Sequence, residues 1–522
     1  MSQGLSQEKG TLVYIRGFEG NLYMTTIDSR TGRIGNNESK KLGGCKRFVS
    51  EIPKLLKKNV KAVVFNVFTL ETSNYANNYE FRKAIKAKME QLKIPYIFVC
   101  EYQYLCASVL TFSNVTVTVG EMVLIILVNE NGVQVMELKY TAKGYESDAE
   151  TRVFDYNPTE SNETIRQRIV GTSTPKKIIV DPNAAGYPIM KRMKALLNFK
   201  DLIITEYDLI PYDGKVIHEM AKHVFDESYT KFWVIPKAFF GYCIRLSTGI
   251  KEYDLLYFLG DEKLPAKKDL VLAKESFNFT FLARNNIIHR EEPIETFTLP
   301  TNCHRVRIIL SLDSNNHPSY QVVPEMIPKI QVLPDFLSRF VPSKAPVIGF
   351  FDNSSVICHH KDGCYKFLDT WNGVYGREML ISFASKKAKF MEDAVEDLRT
   401  KPSYVVLDLA RITAMPINEV KNNGPWNFAF TKDEKNPVLV EFDNYGGVKK
   451  AASPAFLMAM LLKEHLKAIK DEIGEKPTEV VFCLLDDFYK PEEQSRITVQ
   501  FEEACKLLKI ETSILFHFLL AV

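Results

Sequence analysis

The feature that most constrains the fold is a repeat, because one strand-and-helix pattern occurs once near each end of the chain. Residues 60–94 and 477–510 both contain an apolar strand, a polar gap, an amphipathic helix and a closing Leu-Lys-Ile triplet. The apolar helix positions step by four, four and three residues in both copies, which marks one buried face of a 3.6-residue helix. The two copies lie so far apart in the sequence that they indicate a repeated domain rather than a repeated solenoid unit. The apolar positions are Phe81, Ile85, Met89 and Leu92 in the first copy and Ile497, Phe501, Cys505 and Leu508 in the second.

Length and composition indicate several soluble globular domains. A chain of 522 residues is too long for one hydrophobic core, and this length predicts roughly three or four domains. Its 46% hydrophobic and 25% charged residues exclude a disordered or collagen-like chain. Lys and Arg number 67 against 64 Asp and Glu, so the composition does not favour a nucleic-acid partner.

The sequence favours a cytoplasmic protein with no membrane partner. Its N-terminal residues MSQGLSQEKG are polar and lack the apolar core of a signal peptide. The apolar run at 122–128 has seven residues, too few to span a bilayer. The nine cysteines are scattered, and several lie in apolar segments, which favours reduced, buried thiols over a disulfide framework.

A cluster of metal-ligand residue types occurs at 358–364. Cys358, His359, His360 and Cys364 surround a predicted hairpin turn, and no second cluster of this kind occurs elsewhere in the sequence. Ordinary hairpin residues are the favoured interpretation. We therefore predict no metal site.

The first half alternates predicted strands and helices. Asn131 and Gly132 form a strong hairpin signal that needs no ligand to explain it. Glu101 starts a predicted helix, where its carboxylate suits the helix dipole and could be either catalytic or a cap. Strands are predicted at 61–68, 96–100, 122–128, 133–138 and 177–180, and helices at 48–58, 79–92, 100–110, 159–169, 187–197 and 215–224.

From residue 231 the hydrophobic period changes to two. Turn residues separate the short strands every eight to twelve positions, which is typical of an all-β sandwich. Prolines then punctuate residues 324–345, where only one short helical pattern occurs, so this segment is predicted to be a linker. Beyond it, strands are predicted at 346–357, 365–368, 402–408, 426–430 and 438–442, and a long helix at 455–473.

Several segments occur in an order that resembles one family. The second half contains VIGFFDNSS, VLDLARI, PWNFAF, SPAFLMAMLLKEHLKAI and VVFCLLDDF; the first contains CEYQYLCASV, GEMVLIILVNENGVQVMEL, IIVDPNAAGYPIMKRM and DLIPYDGKVIHEMAKHVF. This order resembles that of the seventy-kilodalton heat-shock chaperones (the heat shock protein 70 family), whose ATPase domain belongs to the actin-like ATPases. The order of segments, over most of the chain, carries the resemblance.

The resemblance implies an α/β plus all-β fold: actin-like, ribonuclease H-like ATPase lobes with a β-sandwich that binds peptide. It implies a degenerate nucleotide-binding domain at 1–228 and the β-sandwich at 229–323. The linker at 324–345 would then lead to the first lobe of a partial second nucleotide-binding domain at 346–522.

The chain departs from the family at the positions that handle phosphate. Phe351 stands where the first phosphate loop has an acidic residue, and Asp352 is expected on the opposite strand face. Ala410 replaces the family's lysine, and Leu127 replaces the acidic residue of the second phosphate loop. The glycines of that second loop are replaced by Asn129, Glu130 and Asn131, whose side chains fill the space that a phosphate needs.

Glu101 is the one acidic catalytic position that matches, and the second copy has Phe516, His517 and Phe518 near that point. Losing one electrostatic group of such a site typically costs ~10²- to 10³-fold in rate. We therefore expect negligible ATP hydrolysis, no catalytic residue beyond a vestigial Glu101, and no required cofactor, with ATP and Mg²⁺ as the weaker possibility. The candidate nucleotide-binding residues are Gly349, Asp352, Asn353, Ser354, Ser355, Asn129, Asn131 and Gly132.

The leading functional prediction is a chaperone-like pseudoenzyme that binds unfolded or extended polypeptide without hydrolysing ATP, with co-chaperones as further candidate partners. One alternative is a working ATPase that uses the substituted Asp352, Ser354 and Ser355. The other is a structural or assembly protein, or an incomplete gene model of two tandem divergent genes, because the chain stops inside the apolar run at 514–522.

Overall fold

The computed structural model describes residues 10–515, except 36–38, 73, 131, 148–150, 183–185, 198, 206–212, 286–289, 417–423, 425 and 486–489. The described residues are mixed α/β, as predicted. They divide into two compact units: the first contains residues up to 240 with 259–266 and 312–318, and the second contains 241–258, 267–311 and the residues from 319 onwards. In the part of the chain that the structure describes, no helix is long and apolar enough to cross a membrane.

The first unit begins with a five-stranded sheet of order β3-β2-β1-β4-β5. Strand β1 is antiparallel to β2 and parallel to β4, and β4 is parallel to β5. The elements are β1 (Thr11–Phe18), β2 (Asn21–Asp28), β3 (Lys40–Lys41), α1 (Cys45–Leu55), β4 (Val60–Asn66), α2 (Asn78–Leu92), β5 (Tyr96–Phe98) and α3 (Glu101–Phe112).

The repeated helix α2 confirms the prediction from its period. The Asn77 side chain caps its first turn by accepting a hydrogen bond from the Glu80 amide at 2.9 Å. Phe81, Ile85 and Met89 are fully buried, whereas the last position of the predicted face is partly buried.

A second sheet in the first unit has the order β11-β10-β6-β7-β8, and β9 also pairs with β7. Helices α3 and α6 share one hydrophobic core with both sheets, and this core includes Ile217 of α6, Val64 of the first sheet and Ile125 of the second. The elements are β6 (Met122–Val128), β7 (Gly132–Thr141), β8 (Gly144–Glu146), β9 (Arg152–Asp155), α4 (Asn162–Val170), β10 (Lys177–Pro182), α5 (Pro188–Leu197), β11 (Leu202–Ile204) and α6 (Asp213–Phe225).

The second unit begins with what we call the two-sheet region, strands β12 to β18. Four strands form an antiparallel sheet of order β13-β12-β15-β16, and three form a sheet of order β14-β17-β18. Alternate residues of β17 are buried, as a period of two predicts. The strands are β12 (Gly241–Ser247), β13 (Glu252–Phe258), β14 (Ala266–Ala273), β15 (Asn278–Asn285), β16 (Arg290–Phe297), β17 (Arg305–Leu312) and β18 (Pro318–Glu325).

The rest of the second unit is organised by a sheet of order β21-β20-β19-β29-β30, with β22 pairing β20. Strand β19 is antiparallel to β20 and parallel to β29, and β29 is parallel to β30, so this sheet repeats the arrangement of the first. The elements up to β24 are α7 (Pro328–Gln331), α8 (Leu333–Phe340), β19 (Val347–Phe351), β20 (Ser354–Lys361), β21 (Cys364–Phe367), β22 (Arg377–Glu378), β23 (Ile381–Ser382) and β24 (Lys389–Phe390). The remaining elements are α9 (Val395–Thr400), β25 (Val405–Val406), α10 (Leu409–Ala414), β26 (Ala429–Thr431), β27 (Leu439–Asp443), β28 (Lys449–Ala452), α11 (Pro454–Ile473), β29 (Glu479–Leu484), α12 (Pro491–Leu508) and β30 (Glu511–Leu515).

Helices α7 and α8 lie in the segment whose prolines predicted a linker. Leu333 and Leu337 of α8 are fully buried against Val347, Phe351 and Val356 of the central sheet. Prolines therefore start these helices instead of preventing them, because a proline in the first turn loses no helical hydrogen bond. This segment contributes to the core of the second unit.

The strand predicted over 402–408 is wrong for most of its length. Residues 402–404 form a 3₁₀ turn, and only β25 is extended. Asp408 adopts a left-handed conformation with φ of 58°, and helix α10 starts directly after it. The apolar run predicted a strand because it is buried, but burial alone does not distinguish a strand from a helix over so few residues.

Candidate functional site

The turn between β19 and β20 carries most of the predicted nucleotide-binding residues. Strand β19 ends at Phe351, and Asp352 lies in the turn with φ of 46°. The prediction that Asp352 lies on a strand face is therefore wrong. Its carboxylate accepts two hydrogen bonds from the Arg305 guanidinium of β17, at 2.9 and 3.0 Å. This paired geometry is the strong form of an arginine–carboxylate contact, and it occupies both oxygens of Asp352.

Asn353 is also engaged with its own protein. Its side-chain oxygen accepts a hydrogen bond from the Asp408 amide at 2.8 Å, and its backbone oxygen accepts one from the Met379 amide at 2.8 Å. The residue is 2% exposed. Asn353 therefore fixes the start of α10 to the turn.

Ser355 lies in a buried network with a histidine and a tryptophan. His465 Nδ1 lies 2.8 Å from the Leu461 carbonyl oxygen, which can only accept, so Nδ1 carries the proton. Nε2 is then an acceptor, and the Ser355 hydroxyl donates to it at 2.8 Å. Trp371 Nε1 donates to the same serine at 3.1 Å. Burial lowers the pKa of His465 to about 4, which keeps the imidazole neutral.

Gly349, a candidate nucleotide-binding residue, is closely packed. It lies inside β19, and a Cβ atom there would come within 2.9 Å of Leu485 Cδ1, 3.0 Å of Val356 Cγ2 and 3.3 Å of Leu333 Cδ2. Ser354, another candidate nucleotide-binding residue and the first residue of β20, is 1% exposed. A side chain does not fit here mainly because Leu485 and Val356 pack closely over the glycine, with Leu333 of α8 next to them.

In the first unit, the second predicted phosphate loop is an ordinary hairpin. The Asn129 amide donates to the Gly132 carbonyl at 3.0 Å, which closes the β6–β7 turn. Asn129 and Glu130 are exposed, and Asn131 lies outside the described residues. Leu127, at the family's acidic position, is buried in the core.

Glu101 is the first residue of α3 and is exposed. Its carboxylate accepts a hydrogen bond from the Asn66 side chain at 3.0 Å, and the capping residue is Cys100, whose side chain makes no capping bond. The Glu101 carboxylate therefore interacts favourably with the helix dipole but does not cap the helix. The corresponding residues of the second copy, Phe516 to Phe518, lie outside the described residues.

These positions do not fit the Mg-ATP that the resemblance implies. The Asp352 carboxylate, the Asn353 side-chain oxygen and the Ser355 hydroxyl are committed to protein partners, and the lysine position is a buried alanine, Ala410. Phosphoryl transfer needs a positioned metal, a lysine and loop amides. Over the described residues, no group of three His, Cys, Asp or Glu side chains could hold a metal ion.

A charged cavity of about 1050 Å³ is lined in part by β22, whose residues Arg377 and Glu378 pair with Ser355 and Ser354 of β20. It lies between loops of the two-sheet region and the segment that follows β21. Its walls come from residues 274–276, 299–302, 369–372, 376–378, 387–393 and 395, and from Glu464 and Lys467 of α11.

Lys274 and Glu378 form the inner wall of this charged cavity. The Lys274 ammonium group donates to the carbonyl oxygens of Tyr375 and Gly376, the latter at 3.0 Å. The Glu378 carboxylate accepts a hydrogen bond from the Ser276 hydroxyl at 2.5 Å. The sequence analysis missed both groups, because partners about 100 residues apart in sequence leave no local pattern.

Burial shifts the titration of this inner wall. Desolvation raises the pKa of Glu378 from 4.5 to about 7 and lowers the pKa of Lys274 from 10.5 to about 8. Desolvation also raises the pKa of Glu275, and the nearby carboxylates of Asp408, Glu378 and Asp352 raise it further. The environment of the inner wall therefore favours the neutral forms of these groups.

We predict a stability minimum between about pH 7 and pH 8 from this pair. The raised pKa of Glu378 contributes stability below pH 4.5 that is lost as pH rises through about 7. The lowered pKa of Lys274 contributes stability above pH 10.5 that is lost as pH falls through about 8. We call the fall in stability below this minimum's pH range the acidic limb and the rise above it the alkaline limb. Across each limb the free energy of unfolding is expected to change by an amount on the order of 2 kcal/mol, after allowance for partial solvent exposure.

Urea unfolding across this pH range measures the effect. Glu378→Gln should remove the acidic limb, and Lys274→Met should remove the alkaline limb. A difference between wild type and Glu378→Gln that does not change with pH would contradict the assignment.

Comparison with known proteins leaves the family open. No protein-family model matches the chain, and a search of curated proteins found no match.

Proposed function

We propose that this protein is a chaperone-like pseudoenzyme, which binds unfolded or extended polypeptide and does not hydrolyse ATP. In this proposal the sheets that contain β4 and β29 are actin-like, ribonuclease H-like lobes, and the two-sheet region is a peptide-binding β-sandwich. Co-chaperones are further candidate partners, and the cytoplasm is the proposed location.

Two features support the proposed architecture. The sheet β3-β2-β1-β4-β5 and the sheet β21-β20-β19-β29-β30 have the same order and the same parallel and antiparallel pairs. Their repeated helices bury equivalent positions. A duplicated lobe accounts for both facts, since shared packing outlasts changes in surface chemistry.

One observation supports the proposed loss of catalysis: the side chains of the 352–355 turn make contacts within the protein itself. A phosphate loop presents free amides and hydroxyls to its ligand. Here the Asp352 carboxylate is paired with Arg305, and the Ser355 hydroxyl is buried against His465. A nucleotide would have to break both contacts before it could bind.

Peptide binding and its dependence on nucleotide test the proposal together. Fluorescence anisotropy with labelled extended peptides should show saturable binding in the micromolar range, with the same affinity whether or not Mg-ATP is present. Absence of binding at high micromolar concentration would reject polypeptide binding. A large change in affinity with Mg-ATP would instead favour the working-ATPase alternative.

A further inference from the structure

We propose that Lys274 is a reactive lysine, at which the charged cavity binds a small aldehyde or ketone covalently as an imine. The inference goes beyond the proposed function and does not depend on it, because the chemistry of this amine is the same whether or not the two-sheet region binds peptide. Lys274 directly follows β14 and lines the cavity at its inner wall.

The Lys274 side chain is buried and is held by the protein backbone. The residue is 6% exposed, and its amino group donates hydrogen bonds to the carbonyl oxygens of Tyr375 and Gly376, the latter at 3.0 Å. Its nitrogen also lies 5.8 Å from the centroid of the Phe351 ring. These contacts fix the position of an amine that on a surface would move on a flexible four-carbon stem.

The two carbonyl oxygens suit the neutral amine as well as the ammonium ion. An ammonium ion has three N–H donors, whereas a neutral amine has two. The carbonyls of Tyr375 and Gly376 can accept both donors of the neutral form, so deprotonation of Lys274 loses neither hydrogen bond. It leaves a lone pair on the nitrogen, and this electron pair is the nucleophile in imine formation.

The groups around Lys274 make it easier to deprotonate than an ordinary lysine. Burial lowers the pKa of Lys274 to about 8, against the opposing influence of Cys303, Glu378 and Glu392. The Lys274 charge also acts on His304, which precedes β17. At pH 7 about one-tenth of the Lys274 amines are then neutral, compared with roughly three or four in ten thousand for an unperturbed lysine.

Imine formation at Lys274 requires only the amine and the carbonyl compound. The nitrogen lone pair forms the C–N bond, the π pair of the carbonyl moves onto its oxygen, and one proton passes from nitrogen to this oxygen. Loss of the hydroxyl group and of the second amine proton releases one water molecule and leaves the C=N bond. Glu378 has a pKa of about 7 and acts electrostatically on Lys274, so its acid form can supply the proton to the departing hydroxyl group and regain it from the protonated imine.

The cavity has room for such a ligand. Ligand sites typically enclose roughly 300–1,000 Å³, and this cavity encloses about 1050 Å³. Its walls carry charges of both signs, including Arg377, Lys387 and Glu392, so the lining does not select the charge of the ligand. Selection for a carbonyl group therefore comes from the covalent bond to Lys274.

Reductive trapping of the full chain with propanal, a small uncharged aldehyde, tests the inference. Borohydride added after a fixed short time reduces the imine to a stable secondary amine, and peptide mapping by mass spectrometry locates the modified lysines. At pH 7 Lys274 should be modified at least about tenfold more than Lys83, whose side chain is 59% exposed. Modification of Lys274 should rise up to about pH 8 and then level off, whereas modification of exposed lysines should continue to rise up to about pH 10.

The inference fails if Lys274 stays unmodified at pH 7 while Lys83 reacts, or if its modification keeps rising above pH 8 together with that of the exposed lysines. It also fails if Lys467, which is exposed and lines the same cavity, reacts as well as Lys274 at pH 7. In urea the preference for Lys274 should disappear; a preference that persists there would come from the local sequence and would contradict the inference. Every measurement uses the wild-type chain, so none depends on the folding of a variant.

Discussion

Phe81→Ala and Phe501→Ala are each expected to lower the free energy of unfolding by about 3–5 kcal/mol, the range for removal of a buried phenylalanine. Both side chains are 0% exposed. Phe81 packs with its ring centroid 5.4 Å from Tyr75, and Phe501 packs 5.1 Å from both Phe350 and Phe482. The two residues lie on the same buried face of the repeated helix, where Phe81 corresponds to Ile497 and Phe501 to Ile85, so the account expects large losses in both copies.

Urea unfolding of the two variants measures this prediction. The matched controls lie on the same helices: Lys83→Ala on α2, and Val499→Ala on α12, where Val499 is 59% exposed. Each control should change stability by less than about 0.5 kcal/mol. A loss below about 1 kcal/mol for either phenylalanine would contradict the view that both copies are kept for their packing face.

Leu333→Ala is expected to cost about 2–5 kcal/mol, because it leaves a cavity in the core of the second unit. Leu333 is 0% exposed and packs against β19 and β20. The preceding residue provides the control: Val332 is 41% exposed, and Val332→Ala should be nearly neutral. Equal, small effects at both positions would mean that residues 324–345 are a linker, as their prolines predicted.

The sequence predicted those elements whose pattern is local. Helix α2 and the alternation in β17 follow from spacings that can be read within a few residues. The hairpin of β6 and β7 follows from its turn residues in the same way. The short strands β22 to β25 have no such signal, because two residues cannot display a period.

The contacts made by the candidate site residues could not be predicted from the sequence. The resemblance pointed to Ser355 as a phosphate ligand, whereas the structure pairs its hydroxyl with His465, 110 residues away in sequence. The Asp352–Arg305 pair and the Lys274 contacts also depend on approaches between distant segments. Gly349 shows the same limit, since only the packing of Leu485, Val356 and Leu333 around it reveals that a side chain would not fit there.

The central claim is that the nucleotide chemistry has been replaced by internal contacts. Calorimetric titration of the full chain with Mg-ATP, combined with phosphate release, tests it most directly. The account predicts no saturable heat up to about 1 mM nucleotide, the upper end of ordinary substrate affinities, and no release above background. Saturable binding that adds ~2.7 kcal/mol at ~100 times its dissociation constant, with turnover abolished by Glu101→Ala, would contradict it.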